Sequence, residues 1–144
     1  MEVAMRSDVT LREEYLHKIW DNYIFNNVVE STPCRAAIYD ARSRRLIVAS
    51  DRFYLLDGEL FNISEGMKYP DLVYKEGITV QNRHYDVKLA DGKNGIYATD
   101  GLDGCTVCKT NTLLIIGVHD NKVKSSELNE QIMKLGDYFR KLGL

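Results

Sequence analysis

The sequence contains no long apolar run. A membrane-spanning helix needs roughly 20 consecutive apolar residues, and no stretch of this 144-residue chain approaches that length. The segment from Met1 to Asp8 has an early acidic residue and no continuous apolar stretch, which is not the pattern of a secretory signal. We therefore expect a cytoplasmic protein that does not cross a membrane.

The chain also lacks an excess of charge of either sign. Its 19 basic and 21 acidic residues leave a formal net charge of −2. Because no strong positive field attracts phosphates, we do not expect a general nucleic-acid binder. The local exception is a cluster of three arginines, Arg42, Arg44 and Arg45, in a predicted hairpin turn. A solvated turn is the favoured interpretation, and a phosphate site is the alternative.

Cysteine is sparse and odd in number, occurring as Cys34, Cys105 and Cys108. In a chain expected in the cytosol, this count argues against a disulfide framework. Cys105 and Cys108 have C-x-x-C spacing, but the residues around them favour a strand, whereas redox chemistry uses this motif at a helix N-terminus. Strand positions three apart face opposite sides of a sheet. We expect inert thiols, and a redox protein is the least favoured alternative.

Motifs for metals and catalysis are missing as well. A structural zinc site needs further ligands, and His84 and His119 are each isolated in the sequence. No nucleophile, base and orienting acid stand in a recognisable arrangement, and no glycine-rich loop leads from a strand into a helix. The sequence therefore predicts no metal site, no cofactor and no enzyme.

The length and the apolar content of 44% fit one domain spanning residues 1–144. Thr10 and Glu13 have the spacing of a capping box, so a first helix is predicted to begin there. Its apolar stripe consists of Leu11, Tyr15, Leu16, Ile19, Trp20 and Tyr23. Asp57 should cap a short helix that stops at Gly66. Ser125 or Ser126 should cap the last helix, whose stripe consists of Leu128, Ile132, Leu135, Phe139 and Leu142.

Seven short strands are predicted between the terminal helices. Residues 24–34 read as a loop, and two apolar runs at 35–39 and 45–50 flank a polar turn. Further strands are expected at about 77–81, 84–89, 95–99, 105–109 and 113–119. Their connections are too short for parallel crossovers, which predicts an antiparallel meander in an α+β domain.

The second part of the chain resembles a profilin. The resemblance runs from about Arg35 to Leu144, with almost no gaps after residue 77, and rests on several short motifs in family order. These are Ala36-Ala37-Ile38, Leu46-Ile47-Val48-Ala49-Ser50, Gly77-Ile78-Thr79-Val80, His84-Tyr85-Asp86-Val87, Thr106-Val107-Cys108-Lys109-Thr110 and Leu135-Gly136-Asp137-Tyr138. It implies a profilin-like antiparallel sheet with the N- and C-terminal helices on one face and the shorter helix on the other. It also implies a monomer, with residues 1–9 as an N-terminal extension.

The resemblance implies that monomeric actin is the main partner and that the protein regulates actin polymerisation at the cytoskeleton. The implied actin-binding residues are Tyr74, His84, Asp86, Val87, Val123, Lys124, Ser126, Asn129 and Lys134. Two of them depart from the family pattern. Lys134 stands where animal profilins tend to carry an acidic residue, and Asp86 stands at a usually small or apolar position. These charges are expected to weaken or retune actin binding.

A second implied site binds polyproline segments between the terminal helices, where aromatic side chains contact the preformed polyproline helix. The matching positions are Arg12, Tyr15, Ile47, Tyr138 and Leu144. Arg12 and Ile47 replace tryptophans that are common in the family, so binding of proline-rich proteins is expected to be weak. Trp20 lies roughly 140° around the helix from Tyr15 and is expected in the core.

Phosphoinositides are a third implied partner, also expected to bind weakly. Acidic residues in the segment 97–103 stand where basic residues are frequent in the family and would repel a phosphate head group. The remaining basic candidates are Arg42, Arg44, Arg45, Lys122 and Lys124. The alternative to an actin-binding protein is an adaptor of profilin fold that contacts another cytoskeletal protein or a phosphoinositide membrane surface.

Overall fold

The computed structural model describes residues 8–21, 34–121 and 125–144, and the side chains of these residues except 8–12, 125 and 126. This part contains four helices and seven strands. The helices are α1 (Asp8–Ile19), α2 (Asp57–Lys68), α3 (Pro70–Glu76) and α4 (Ser125–Lys141). The strands are β1 (Cys34–Asp40), β2 (Leu46–Ala49), β3 (Ile78–Val80), β4 (Arg83–Ala90), β5 (Gly95–Asp100), β6 (Asp103–Lys109) and β7 (Leu113–His119).

The seven strands form one antiparallel sheet in the order β2-β1-β7-β6-β5-β4-β3. The predicted meander is confirmed from β3 to β7. The predicted hairpin of β1 and β2 is also confirmed. The meander does not run from β2 into β3, because β1 pairs with β7 along its whole length, from Cys34 opposite His119 to Asp40 opposite Leu113. The chain therefore passes through α2 and α3 between β2 at one edge of the sheet and β3 at the other edge.

Each face of the sheet carries its own core. On one face, Leu16 of α1 and Trp20 directly after it pack with α4 and the sheet. The α4 residues are Leu128, Ile132, Leu135 and Phe139, and the sheet residues include Ala36, Ile38 and Ile115. On the other face, the core includes residues of α2, α3 and the second half of the sheet, among them Leu60, Ile63, Val73, Val87 and Val107. The predicted fold class, with the terminal helices on one face and the shorter helix on the other, is confirmed.

Helix α3 was not predicted, and it changes the interpretation of α2. Helix α2 begins at Asp57 with Leu56 as its N-cap, so Asp57 is the first helical residue and not the cap. Gly66 is not a stop signal either, since α2 continues to Lys68. A Cβ atom on Gly66 would lie 2.8 Å from Val73 Cγ2, so glycine is needed there for the close packing of α3 on α2.

The terminal helices also differ in detail from the predicted boundaries. Helix α1 is already helical at Asp8, two residues before the predicted capping box at Thr10. Trp20 is 4% exposed in the core, as expected. Leu142 follows the end of α4 and is 44% exposed, so its assignment to the core stripe was wrong. Tyr23 and most of the predicted loop at 24–34 lie outside the described residues.

The turn between β3 and β4 is held by one carboxylate. Gln81 and Asn82 have φ angles of 51° and 65°, in the left-handed region. The side chain of Glu59, which is 7% exposed, accepts hydrogen bonds from the main-chain N–H groups of Gln81 at 3.0 Å and Asn82 at 2.7 Å. It also accepts one from Leu56 N at 3.0 Å at the start of α2. Glu59 thus joins the start of α2 to the hairpin that leads into β4.

Candidate binding surfaces

The first candidate surface comprises Tyr74, His84, Asp86, Asn129 and Lys134, and we call it the β4–α4 surface. Side chains alternate along β4, so His84 and Asp86 are exposed while Tyr85 between them is buried. Asp86 pairs with Thr99 of β5, and Thr99 pairs with Gly104 of β6.

The start of α4 contributes the other part of the β4–α4 surface. Asn129 is half-buried, and its Oδ1 accepts a hydrogen bond from Thr106 Oγ1 of β6 at 3.5 Å. Lys134 is exposed and forms an ion pair with Glu130 one helical turn away, with 2.9 Å between Nζ and Oε1. This contact lowers the pKa of the Glu130 carboxyl. Lys134 therefore presents a locally neutralised charge.

Tyr74 and His84 join α3 to β4 at the edge of this surface. The Tyr74 hydroxyl accepts a hydrogen bond from Ala90 N at 2.8 Å, while the Tyr74 ring remains 45% exposed. His84 Nε2 lies 2.9 Å from the main-chain oxygen of Glu76, the last residue of α3. Both side chains are thus held in place by main-chain atoms and still present exposed area.

Four of the predicted actin-binding residues do not add a described side chain to this surface. Val87 is 8% exposed and belongs to the core on the α2 and α3 side, so its side chain lies beneath the surface. Val123 and Lys124 lie outside the described residues. Ser126 is in the first turn of α4, and its side chain is not described.

Leu89 is an exposed apolar residue that the sequence patterning missed. A register irregularity between Val87 and Leu89 breaks the alternation of β4. Leu89 is therefore 61% exposed, and it directly precedes Ala90, which binds the Tyr74 hydroxyl. Alternation alone places Leu89 on the buried side with Val87, so no local signal identifies it.

The second candidate surface lies where α1 meets α4, and we call it the tyrosine-pair surface. Tyr15 and Tyr138 are 42% and 47% exposed and share a side-chain hydrogen bond. This hydrogen bond raises the pKa of Tyr15 above its ordinary value. The two exposed phenol groups thus meet at the surface, and flat aromatic side chains are what a polyproline helix contacts.

The other predicted polyproline residues differ in their exposure. Ile47 is 7% exposed and packs in the core beneath α1 and α4. Leu144 packs against the same core, and its main-chain oxygen accepts hydrogen bonds from Thr110 Oγ1 at 2.9 Å and Thr112 Oγ1 at 2.7 Å. Arg12 is on α1, and its side chain is not described. Only the two tyrosines therefore offer described aromatic area.

The three arginines of the β1–β2 turn do not all lie in one place, since only Arg42 and Arg44 line a common cavity beside α2. Arg45 forms an ion pair with Glu13 of α1. Arg44 lies over the ring of Phe61 of α2, with 5.6 Å from Cζ to the ring centroid. Lys122 and Lys124 lie outside the described residues. The predicted phosphoinositide residues are thus not gathered into a single described site.

A family model described as profilin matches residues 18–144. The chain belongs to the profilin family. Profilin-1 of Dictyostelium discoideum is 25% identical over 124 residues, which cover 86% of this chain and 98% of that protein. Profilin-4 of Mus musculus is 29% identical over 109 residues, which cover 75% of this chain and 84% of that protein.

Solved profilin structures share the fold. Acanthamoeba castellanii profilin II superposes with a TM-score of 0.78 at 22% identity, covering 87% of this chain and 99% of that chain. Schizosaccharomyces pombe profilin gives a TM-score of 0.78 at 20% identity with the same coverage. Mouse profilin IIa, solved in complex with a double repeat from the FH1 domain of mDia1, gives 0.71 at 18% identity, covering 87% of this chain and 99% of that chain.

Membership in the profilin family supports a general role in actin binding and cytoskeletal regulation, and profilins are not enzymes. None of the helices among the described residues is long and apolar enough to span a bilayer. Within the same residues, no group of three or more His, Cys, Asp or Glu side chains is arranged to hold a metal ion.

The profilin fold places the cysteines of β6 on opposite faces of the sheet, as predicted. Cys105 belongs to the core under α2 and α3, and Cys108 belongs to the core under α4. All three cysteines lie in described strands, and none forms a disulfide. Burial raises the pKa of Cys34 to about 12 and also raises the pKa values of Cys105 and Cys108. The thiols are therefore protonated at neutral pH.

We predict that these thiols are unreactive in the folded protein. At pH 8 the native protein should react with a thiol-specific reagent far more slowly than the same protein in denaturant, because thiolate is the reactive species. Replacing Cys105 and Cys108 by valine should leave partner binding unchanged. Rapid labelling of the native protein, or a Cys105–Cys108 disulfide under cytosolic redox conditions, would contradict this prediction.

Proposed function

We propose that the protein binds monomeric actin through the β4–α4 surface and thereby regulates actin polymerisation in the cytoplasm. The observation that carries this proposal is the joint exposure of Tyr74, His84 and Asp86 beside α3 and β4. Asn129 and Lys134 add polar groups from α4. An interface of this kind needs an apolar anchor with a polar rim, and the Tyr74 ring with Leu89 supplies apolar area.

The rim of this surface carries both signs of charge. Asp86 is exposed, and its Oδ1 atom lies 3.7 Å from Nδ1 of His84. Lys134 stands beside Glu130. Rim charges change association rate and partner choice more than they change the fold. We therefore propose that Asp86 and Lys134 tune the affinity for actin.

The proposal is tested by titrating the purified protein against fluorescently labelled monomeric actin. Saturable binding, together with slower spontaneous polymerisation of actin, is the expected result. If the protein neither binds monomers nor slows polymerisation, the actin proposal is wrong and the adaptor of profilin fold replaces it.

We also propose that the tyrosine-pair surface binds proline-rich segments weakly. The mouse profilin IIa complex with an FH1 double repeat supports a proline-rich class of partner. Here Tyr15 and Tyr138 supply only two rings, and Ile47 is buried. Losing flat aromatic area lowers the contact energy that such a site supplies.

We predict that Arg12→Trp strengthens binding of a labelled oligoproline peptide severalfold, because it adds an aromatic ring on the helix that carries Tyr15. Ile47→Trp should add to this effect if the core beneath it adapts, at a cost in stability from overpacking. The readout is peptide fluorescence anisotropy. His17→Trp is the control, because His17 is an exposed residue of the same helix and lies roughly 160° around the helix from Tyr15. Tight binding by the unmodified protein, or equal gains from both α1 variants, would contradict the prediction.

A further inference from the structure

A basic cavity of about 210 Å³ lies between the β1–β2 turn, α2 and the end of β6. Its lining contains four cationic side chains and one carboxylate. The cations are Arg42, Arg44, Lys68 and Lys109, and the carboxylate is Glu65. Neither Lys68 nor Lys109 is among the binding residues that the family resemblance implies. The cavity therefore concentrates positive charge in a protein whose net charge is −2.

The turn that carries the two arginines is held by main-chain and side-chain hydrogen bonds. Asp40 Oδ1 accepts hydrogen bonds from Arg42 N at 3.0 Å and Ser43 N at 2.8 Å. Asp40 N donates to Arg45 O at 2.9 Å, and Arg44 N donates to Asp40 O at 2.8 Å. The arginines thus project from a preorganised loop, which lowers the entropy lost when a ligand binds.

Much of the positive charge has no compensating carboxylate. Lys68 Nζ lies 3.6 Å from Glu65 Oε1, so this pair is partly neutralised. Arg44 contacts the Phe61 ring and not an acid. Among the described residues, no carboxylate forms an ion pair with Arg42 or Lys109. The lining thus carries four cations and the Glu65 carboxylate, with Asp40 in the same turn, so an anionic ligand would meet a net positive charge.

The rest of the lining limits the kind of anion. Phe61 is 49% exposed, and the buried side chains Met67 and Leu114 also line the cavity. Glu65 repels a multiply charged phosphate more strongly than it repels single carboxylates spaced along a peptide, and a peptide also offers main-chain N–H groups to Glu65. The guanidinium groups in the lining form good pairs with carboxylates of a ligand. An apolar side chain next to such a carboxylate in the ligand would cover the exposed ring of Phe61.

We propose that this basic cavity docks a peptide segment of a protein partner in which acidic residues alternate with apolar ones. The carboxylates contact Arg42, Arg44 and Lys109, and an apolar side chain packs against Phe61. This interaction is independent of the β4–α4 and tyrosine-pair surfaces. The proposal therefore stands or falls separately from actin binding.

The test uses a fluorescein-labelled hexapeptide that alternates glutamate with leucine, followed by anisotropy at low and at physiological salt. We expect saturable binding that weakens with salt. Two comparison peptides, one with glutamine for glutamate and one with serine for leucine, should each bind at least about fivefold more weakly. Equal binding of all three peptides, or no binding of the acidic peptide, overturns the proposal.

The matched variants are Arg44→Asn and Arg52→Asn. Arg44 and Arg52 both have left-handed backbones, with φ of 62° and 59°, and asparagine tolerates this conformation. Both substitutions remove one positive charge, but Arg52 does not line the cavity. Arg44→Asn should weaken binding of the acidic peptide about fivefold and Arg52→Asn should not change it, with equal thermal midpoints as a check of the fold.

Equal losses of affinity in both variants would mean non-specific attraction. Competition by inorganic pyrophosphate without binding of the acidic peptide would indicate a phosphate site instead. Either result overturns the proposal.

Discussion

Replacing Glu59 by alanine is expected to lower the free energy of unfolding by about 3 kcal/mol, because three main-chain N–H groups lose a charged acceptor. These groups belong to Leu56, Gln81 and Asn82, and their distances to the carboxylate are 2.7 to 3.0 Å. Gln81 and Asn82 also keep left-handed backbones that the hydrogen bonds help to stabilise. Thermal unfolding should show a midpoint lower by roughly 10 °C.

Two control variants distinguish the loss of these three hydrogen bonds from a general effect of removing a carboxylate. Glu59→Gln retains one acceptor oxygen and should cost less than the alanine variant. Glu65→Ala removes a partly exposed carboxylate of the same helix, whose ion pair with Lys68 is worth little, and should change stability by less than about 1 kcal/mol. Equal losses in Glu59→Ala and Glu65→Ala would refute the role assigned to Glu59.

The double variant Tyr74→Ala with Val123→Asp is expected to abolish actin binding without unfolding the domain. Truncating an interface anchor commonly costs about 1 to 2 kcal/mol or more, and a buried charge in an apolar contact adds to this loss. Tyr74 is 45% exposed, so its removal leaves no large core cavity. Titration against labelled monomeric actin is the measurement, and far-ultraviolet circular dichroism checks the fold.

Tyr74→Phe is the matched control for that experiment. It keeps the ring but loses the hydrogen bond between the Tyr74 hydroxyl and Ala90 N. If the ring contacts actin, the phenylalanine variant should bind nearly as well as the unmodified protein. Lys124→Glu should weaken binding chiefly at low salt, since a rim charge acts mainly through association rate. Unchanged binding by the double variant would place the actin contact elsewhere.

Local patterns in the sequence were sufficient to predict most of the elements. Alternating apolar residues punctuated by glycine and asparagine predicted all seven strands. Local periodicity does not reveal helix α3, because the helix has only seven residues and begins at Pro70. Pro at the first helical position is in fact favourable, since its missing N–H has no partner there.

The pairing of β1 with β7 had no local signal. These strands are separated by more than 70 residues of sequence, and pattern rules describe only neighbouring segments. The contact between Tyr15 and Tyr138 also has no local signal in the sequence, because it depends on how α1 and α4 come together on one face of the sheet. The family resemblance anticipated this placement, whereas helical periodicity alone did not.

Local patterns and family motifs in the sequence are enough to establish the α+β class, the strand position of the C-x-x-C motif and membership in the profilin family. The tertiary structure decided which side chains are available to partners. An irregularity in β4 exposes Leu89, which strand alternation would bury with Val87, and the fold adds Lys68 and Lys109 to the arginines of a turn. The physical reason is that secondary structure follows local periodicity, whereas exposure and charge clustering depend on contacts between segments distant in the chain.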